Sequence, residues 1–151
     1  MYDKSHLGKP MSMTNTPDQI ICGFESGDVI RWNLKNLQFD KKDSYTEKTI
    51  VHVLSVANRL VVFDSEGNLT SGDKCASYGS NTTSMTARED GKLMLLGMST
   101  GRARLISAKS LKTLSLFSPH TESVTNMKWN GLQFFTFGHD HRVCCYKPYD
   151  H

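Results

Sequence analysis

A hairpin of one form returns four times along the 151 residues. Each copy has an apolar strand, a short turn with glycine or polar residues and a second apolar strand, as in QIICGF, ESGD and VIRWNL. Short strands bounded by such turns predict antiparallel β-hairpins. The position that ends the second strand is filled by Trp32, Gly72, Ile106 and Tyr146, at spacings of 40, 34 and 40 residues. A period of this length predicts a repeat protein.

The stretches between the hairpins contain no helical stripe, and turn signals recur throughout the chain. This arrangement predicts an all-β fold rather than an alternation of strands and helices. Strands such as LMLL at residues 93–96 and FFTF at residues 134–137 are apolar on both sides of the pleat. They need cover on both faces, which sheets stacked against each other supply.

Three stretches resemble repeats of the WD-repeat family. STGRARLIS at residues 99–107 is similar to the family form SDGTVRLWD, with Ile106 in the Trp position, and Trp32-Asn33 stands where the family has Trp-Asp. Residues 119–146 have the family order H, V, W, G and then D-x-x-V-x-x-aromatic. The resemblance implies β-propeller blades of four antiparallel strands each. We place them at residues 11–40, 48–78, 83–118 and 120–151 of a single domain, 1–151.

The number of blades leaves the organisation of the ring open. Propellers of the family are mostly seven-bladed, which needs roughly 280 residues at ~40 per blade. The chain is therefore interpreted as a fragment or short isoform of a larger propeller, as a subunit that completes its ring with another chain or a second copy, or as a compact four-bladed ring. The first two are favoured. The last repeat resembles the C-terminal end of a propeller, where the ring's N-terminus commonly supplies the outer strand.

The last repeat also carries the polar positions of a family blade. The resemblance implies that Asp140, in a turn, accepts a hydrogen bond from His120, which links on to the Thr136 hydroxyl and the aromatic Tyr146. The departure from the family pattern is Tyr in place of Trp. Buried polar groups are costly unless all are satisfied, so such a tetrad fixes loop geometry. We interpret these four residues as structural, and we predict no catalytic residue.

The turn His139-Asp140-His141 suggests a second interpretation, a metal-dependent enzyme. Residues i and i+2 of a strand share a face, so His139 and His141 would chelate an ion if the segment were extended. A turn is the favoured interpretation, and Cys144 and Cys145 point to opposite faces of a strand, with Cys145 inward. Structural zinc sites favour closely spaced cysteine and histidine pairs. We predict no metal and no cofactor.

Charge and composition limit the remaining classes of function. Lys plus Arg number 18 against 15 Asp plus Glu, a net charge of +3. A dedicated nucleic-acid binder usually shows a strong basic patch, so a propeller that binds nucleic acid or chromatin is the alternative rather than the main hypothesis. There is no membrane-spanning apolar run and no secretory signal pattern. Four cysteines without a CxxC pair favour reduced thiols and a cytoplasmic or nuclear protein.

We therefore predict a non-catalytic scaffold or adaptor that binds protein partners. The resemblance implies that the blade turns supply the contacts, and the residues predicted there are Glu25, Ser26, Ser65, Glu66, Thr100, Arg102, His139 and His141. Rigid turns that carry Arg and His suit protein interfaces. The Ser/Thr-rich residues 78–86 are interpreted as a loop between the second and third blades and as a weak candidate for phosphorylation.

Overall fold

The computed structural model describes residues 6–148, apart from the side chains of Asp40 and Lys41. Within these residues there are fifteen β-strands and no helix, so none is long and apolar enough to cross a membrane. The chain divides into two compact units, which meet between Ser80 and Asn81. The all-β prediction is confirmed.

The first unit contains two antiparallel sheets, each with four strands in sequential order. The first sheet consists of β1 (Pro10–Asn15), β2 (Gln19–Phe24), β3 (Asp28–Asn33) and β4 (Phe39–Ser44). The second consists of β5 (Ile50–Val56), β6 (Arg59–Asp64), β7 (Asn68–Ser71) and β8 (Lys74–Ser77). Both are meanders, in which each strand pairs with the next one along the chain.

The second unit also contains two sheets, and the last of them differs from the prediction. One sheet consists of β9 (Thr82–Ala87), β10 (Leu93–Met98), β11 (Ala103–Ser107) and β12 (Thr113–Phe117). The other consists of β13 (Val124–Asn130), β14 (Gln133–Gly138) and β15 (Val143–Tyr146). Four strands were expected in each blade, but this sheet has three within residues 6–148, because only two described residues follow β15.

Each unit has an apolar core between its two sheets. In the first unit Ile21 and Val29 pack against Ile50, Val53 and Val62, all at most 2% exposed. Full burial of one such side chain contributes about 1.5–3 kcal/mol. Every residue of β10 in the second unit is buried, as the doubly apolar run LMLL predicts. The core there comprises Leu93, Leu95, Ala103, Leu105, Val124, Met127 and Phe134.

The turns between the second and third strands of the first three sheets share one glycine geometry. Gly27, Gly67 and Gly101 have φ angles of 86°, 86° and 87°, and the N–H of each donates to the carbonyl three residues earlier at 3.1 Å. The connection that follows each sheet lies directly against this glycine. A Cβ there would overlap a backbone carbonyl, which belongs to Thr46, Gly79 and His120 respectively. Both the φ angle and the close approach require glycine.

The Ser/Thr-rich segment is not the predicted loop. Residues 82–87 form strand β9, and only residues 78–81 connect it to β8. The Thr83 hydroxyl donates to the carbonyls of Gly97 and Val124, at 3.2 and 2.5 Å, and Ser84 is 8% exposed. Two hydroxyl side chains that suggest a loop therefore lie in the sheet, and that of Thr83 bonds to the backbone of its own sheet at Gly97 and of the next sheet at Val124.

Candidate functional site

His120 joins a turn to the middle of a strand in the last sheet. Its Nδ1 lies 2.9 Å from Oδ1 of Asp140, in the β14–β15 turn, and its Nε2 lies 2.8 Å from Oγ1 of Thr136, in β14. His120 is 6% exposed and Thr136 is fully buried. The backbone N–H of His120 donates to the Gly101 carbonyl at 3.2 Å, which fixes the connection between β12 and β13. One residue thus binds two turns of the second unit.

The hydrogen bonds assign the proton on His120 and stabilise the Asp140 carboxylate. A carboxylate only accepts, so Nδ1–H of His120 donates to Asp140, and in the neutral ring Nε2 accepts from the Thr136 hydroxyl. Asp140 also accepts the backbone N–H groups of Thr121 at 3.0 Å and Arg142 at 3.2 Å. Desolvation would raise the pKa of Asp140, but the hydrogen bonds from Thr121, His120 and Arg142 outweigh it, so the pKa is lowered from its ordinary value.

Tyr146 does not extend this series within the described residues. It pairs with Phe134, whereas Cys144 pairs with Thr136. The Tyr146 ring stacks on that of Phe134, with centroids 5.3 Å apart and an interplanar angle of 22°. Desolvation, together with Cys144, raises the pKa of Tyr146. The hydrogen-bonded series therefore ends at Thr136, and the tyrosine that the resemblance put in the tetrad packs in the apolar core.

Sequence reasoning missed Cys144. Its thiol donates to the carbonyl of Pro119 at 3.3 Å, one residue before His120, and so helps to hold the histidine's backbone. The sequence did contain a signal for this role: counting residue pairs back from the β14–β15 turn places Cys144 opposite Thr136. Cys145 was predicted to point inward but is exposed. Neighbouring residues of a strand point to opposite faces, so Cys145 lies on the same face as Val143 and not on the face of Cys144.

This arrangement suits structural support better than acid–base chemistry. Both carboxylate oxygens of Asp140 and both ring nitrogens of His120 are bonded to the chain itself. A general base needs a nitrogen or oxygen within hydrogen-bond reach of a substrate proton. Neither group offers one in this state.

Four predicted contact residues of the second unit are exposed beside this support. Thr100 and Arg102 flank Gly101 in the β10–β11 turn, and His139 and His141 flank Asp140 in the β14–β15 turn. His141 has a φ of 64° and occupies the position held by glycine in the other three turns. Its N–H donates to the Gly138 carbonyl at 3.2 Å, as in the glycine turns. The structure brings these four side chains to turns that His120 connects.

The predicted residues of the first unit fall into two kinds. Glu25 and Ser26 are half-buried and hold the segment before β1. The Glu25 carboxylate accepts the Lys9 N–H at 3.0 Å, and the Ser26 N–H donates to the Leu7 carbonyl at 3.0 Å. Ser65 and Glu66 are exposed, and Glu66 makes an exposed ion pair of 3.1 Å with a lysine. Glu25 and Ser26 thus already have partners within the chain, whereas Ser65 and Glu66 face outward.

The model of the anaphase-promoting complex subunit 4 WD40 domain matches residues 46–131, more than half of the chain. The chain belongs to this family. The match runs from the second sheet to the β13–β14 turn and includes the β10–β11 turn and His120. The WD-repeat resemblance found in the sequence is thereby confirmed.

Solved structures share the fold of this WD40 domain at low identity. The computationally designed Ika4 protein is 12% identical with a TM-score of 0.81, over 97% of this chain and 95% of that one. A chain of the mitotic checkpoint complex is 12% identical with a TM-score of 0.80, over 89% of this chain and 46% of that one. Chaetomium thermophilum Raptor is 12% identical with a TM-score of 0.81, over 95% of this chain and 15% of that one.

These likenesses show the fold alone. The WD40 domain spans less than half the length of the checkpoint-complex and Raptor chains, and no curated protein matches its sequence. Because 1272 chains of solved structures match, the fold does not by itself select a function.

In the described part of the WD40 domain, no third side chain joins His139 and His141 to form a metal site. Residues 139–142 form a turn and bend rather than a strand, so His139 and His141 do not share a strand face. Asp140 between them is bonded to His120 and to two backbone N–H groups. Across residues 6–148, no three His, Cys, Asp or Glu side chains are grouped so that they could hold a metal ion.

Proposed function

We propose that this WD40 domain is a non-catalytic scaffold that binds protein partners through the β10–β11 and β14–β15 turns of its second unit. The observation that carries the proposal is the family match, since WD40 domains in general serve as protein-interaction scaffolds. The family is named for a subunit of the anaphase-promoting complex, and one solved neighbour is part of the mitotic checkpoint complex. Both names are those of multi-protein assemblies.

The support beneath these turns favours a rigid contact surface. His120 bonds to the Gly101 carbonyl through its N–H and to Asp140 through its ring. Both turns are therefore fixed by one buried residue. Binding to a fixed surface avoids the entropy cost of ordering a loop, which is of order 0.5–1.5 kcal/mol per immobilised side chain.

The side chains that the turns present suit a protein interface. Arg102 carries a planar guanidinium that binds carboxylates in bidentate fashion, and His139 and His141 carry exposed rings. Arg is enriched among the residues that contribute most of the binding energy at protein interfaces, and the histidine rings add hydrogen-bonding nitrogens. The chemistry of the turns therefore agrees with the general role of the family.

The test compares two charge reversals at opposite ends of β11. Arg102 precedes the strand and Lys112 lies in the turn that follows it, and both are exposed. Arg102→Glu and Lys112→Glu change the net charge equally, so Lys112→Glu is the matched control. Tagged wild type and both variants are used to capture proteins from extracts of the source cells, and the retained proteins are quantified by mass spectrometry.

We expect Arg102→Glu to reduce one or more partners by about fivefold or more, the effect of losing a charge-assisted contact at an interface, while Lys112→Glu retains them. A third variant, which combines His139→Ala with His141→Ala, is expected to reduce the same partners. Equal retention by all four proteins, the wild type and the three variants, would contradict the proposal for these turns. Equal unfolding midpoints of the variants exclude misfolding as the cause of a loss.

A further inference from the structure

The connection between β12 and β13 contains a Ser-Pro pair, Ser118-Pro119, directly after the last residue of β12. Ser118 is exposed, and its hydroxyl makes no hydrogen bond among the described residues. Protein kinases of the proline-directed class accept a serine that is followed by proline, and a proline holds the residue before it in an extended conformation. Residues 118–123 contain no helix or strand, so this segment presents an acceptor hydroxyl outside the sheets.

The chain has one other hydroxyl residue before a proline, Thr16 in Thr16-Pro17, and it is held differently. Thr16 is half-buried. Its hydroxyl oxygen accepts the backbone N–H groups of Asp18 at 3.4 Å and Gln19 at 3.1 Å. Such bonds fix a serine or threonine into its own turn. Thr16 therefore serves as an internal comparison for the unbonded hydroxyl of Ser118.

The pairing of β11 with β12 places Ser118 beside Arg102. The first residue of β11 pairs with the last residue of β12, and one step further the N–H of His120 donates to the Gly101 carbonyl at 3.2 Å. Ser118 and Arg102 lie between these two fixed points, and both are exposed. Residues that face each other across an antiparallel pair have Cβ atoms about 4.5–5.5 Å apart, which is within the reach of an arginine side chain.

The charges on this part of the sheet suit a phosphate at Ser118. The guanidinium of Arg102 makes no hydrogen bond or ion pair among the described residues, and a guanidinium binds phosphate in bidentate fashion. Arg104, two residues further along the chain, adds a positive charge and donates to the Thr113 hydroxyl at 2.8 Å. Glu122, exposed in the same connection, would repel a phosphate, so every protein compared below retains it.

We propose that Ser118 is a phosphorylation site for a proline-directed protein kinase, and that its phosphate pairs with Arg102 and withdraws this arginine from partner binding. The kinase transfers the γ-phosphoryl group of ATP to Oγ of Ser118; the bond to ADP breaks, and the hydroxyl proton is released to solvent. A phosphoserine carries about −1.5 to −2 charges. The regulatory effect rests on the function proposed above for the β10–β11 turn, whereas the modification itself does not.

The first measurement is phosphorylation of the folded full chain by a recombinant mitogen-activated protein kinase, with the site located by tandem mass spectrometry. Pro119 is buried, so the connection must open locally for a kinase to bind it. A synthetic peptide of residues 112–124 presents the same Ser-Pro pair without the fold. We expect phosphate at Ser118 of the folded chain, its loss in Ser118→Ala and its retention in Thr16→Ala.

Phosphorylation of the peptide but not of the folded chain would overturn the site, since the fold would then conceal it. Phosphate on Thr16 in place of Ser118, or on neither residue, would overturn it as well.

The second measurement is the second pKa of the phosphoserine, determined by ³¹P NMR in the phosphorylated wild type, Arg102→Ala and Lys112→Ala. This pKa is ordinarily about 6, and a neighbouring guanidinium lowers it because it favours the dianion. We expect Arg102→Ala to raise the pKa by about 0.5, as removal of a partly screened charge should. Lys112→Ala removes the same charge from the far end of β11 and should leave it within about 0.1. Equal values in the wild type and Arg102→Ala would overturn the pairing.

The third measurement repeats the capture of partners with the phosphorylated chain. We expect it to lose the same partners as Arg102→Glu, by about fivefold or more, whereas Ser118→Ala treated with the kinase retains them. Unchanged capture by the phosphorylated chain would overturn the regulatory effect. If Arg102→Glu itself retains every partner, the function proposed for the turn fails and its regulation fails with it, while the first two measurements still decide the phosphorylation and the pairing.

Discussion

The β6–β7 turn and the β14–β15 turn have the same backbone geometry, but an aspartate stabilises each in a different way. The N–H of Gly67 donates to the Asp64 carbonyl at 3.1 Å, and that of His141 donates to the Gly138 carbonyl at 3.2 Å. Asp64 is the last residue of its strand and accepts the N–H groups of Glu66 and Asn68, both at 3.0 Å. Asp140 lies within its turn and bonds outward to His120.

The difference shows that one turn is nearly self-contained and the other is not. The second carboxylate oxygen of Asp64 accepts the Asn68 amide at 3.2 Å and the Thr46 hydroxyl at 3.3 Å. Among the described residues, the Thr46 oxygen in turn accepts only the exposed N–H of Lys48, two residues on, at 3.1 Å. Asp140 connects through His120 to Thr136 in the centre of the sheet. The same turn can therefore be specified by local polar groups or by a buried network, and the two should respond differently to substitution.

The largest expected effect is at the glycine of the self-contained turn. In Gly67→Ala the new Cβ overlaps the backbone of Gly79, and φ is 86°. We expect a loss of about 2–4 kcal/mol in the free energy of unfolding, measured in urea. Gly72→Ala is the matched control: its φ is 62° but nothing lies within 4 Å of the new atom, so it should lose about 1 kcal/mol. Equal losses would show that the approach of Gly79 is unimportant.

Much of this architecture could be predicted from the sequence. Strand β2 has the bounds of the apolar run QIICGF, and β10 begins with the run LMLL, because apolar runs between glycine or polar turns leave little choice of register. Strand β9 was missed because Ser and Thr occur in turns as well as in strands. The strand is formed by its pairing with β10, from Ala87 to Thr82. Thr83 also donates to the Val124 carbonyl, a contact between residues 41 apart that no local pattern encodes.

The second expected effect compares the hydroxyl groups at the ends of the two networks. Thr136→Val keeps the shape of the side chain and leaves Nε2 of the buried His120 without its partner. We expect a loss of about 1–3 kcal/mol in the free energy of unfolding. Thr46→Val should lose only about 0.5 kcal/mol, because its bond to Asp64 is longer and only partly buried and the Lys48 N–H that it also accepts is exposed to water. Thr136→Ser, which retains the hydroxyl, should recover part of the loss. If the two valine variants lose the same amount, the buried network does not differ in strength from the local one.

The candidate site was less predictable than the fold, because it depends on contacts between residues that are distant in the sequence. The motif order indicates His120 and Asp140, since both are polar residues at fixed positions of a repeat. It does not show that Glu25 and Ser26 bond to residues 7–9, because those residues precede the first recognisable strand. Ser118 was not selected either, since its place beside Arg102 follows from the pairing of β11 with β12.

The third expected effect is on the stability of the fold at low pH. The pKa of Asp140 is lowered in the folded state, so its contribution to stability is present above the ordinary carboxyl pKa of about 4 and is lost as the pH falls through the lower, folded value. The unfolding midpoint of the wild type should fall as the pH is lowered from about 5 to 3. Asp140→Asn should be less stable at pH 7 and should fall less steeply in acid. Part of the fall remains, because the pKa values of Asp28 and Asp90 are lowered too. Parallel curves for the two proteins would contradict the assignment.

The smallest expected effect tests why the last turn has a histidine where the others have glycine. His141 holds a φ of 64°, which costs a side chain up to about 1 kcal/mol, but glycine loses more backbone entropy on folding. His141→Gly should therefore gain about 0.5 kcal/mol or leave the free energy of unfolding unchanged. His139→Gly, at an exposed neighbour whose φ is not positive, should lose about 0.5–1 kcal/mol. If both variants lose equally, the His141 side chain makes a stabilising contact that outweighs its strain. If only His139→Gly loses, the turn tolerates histidine at this φ, and the exposed ring is available to contact a partner.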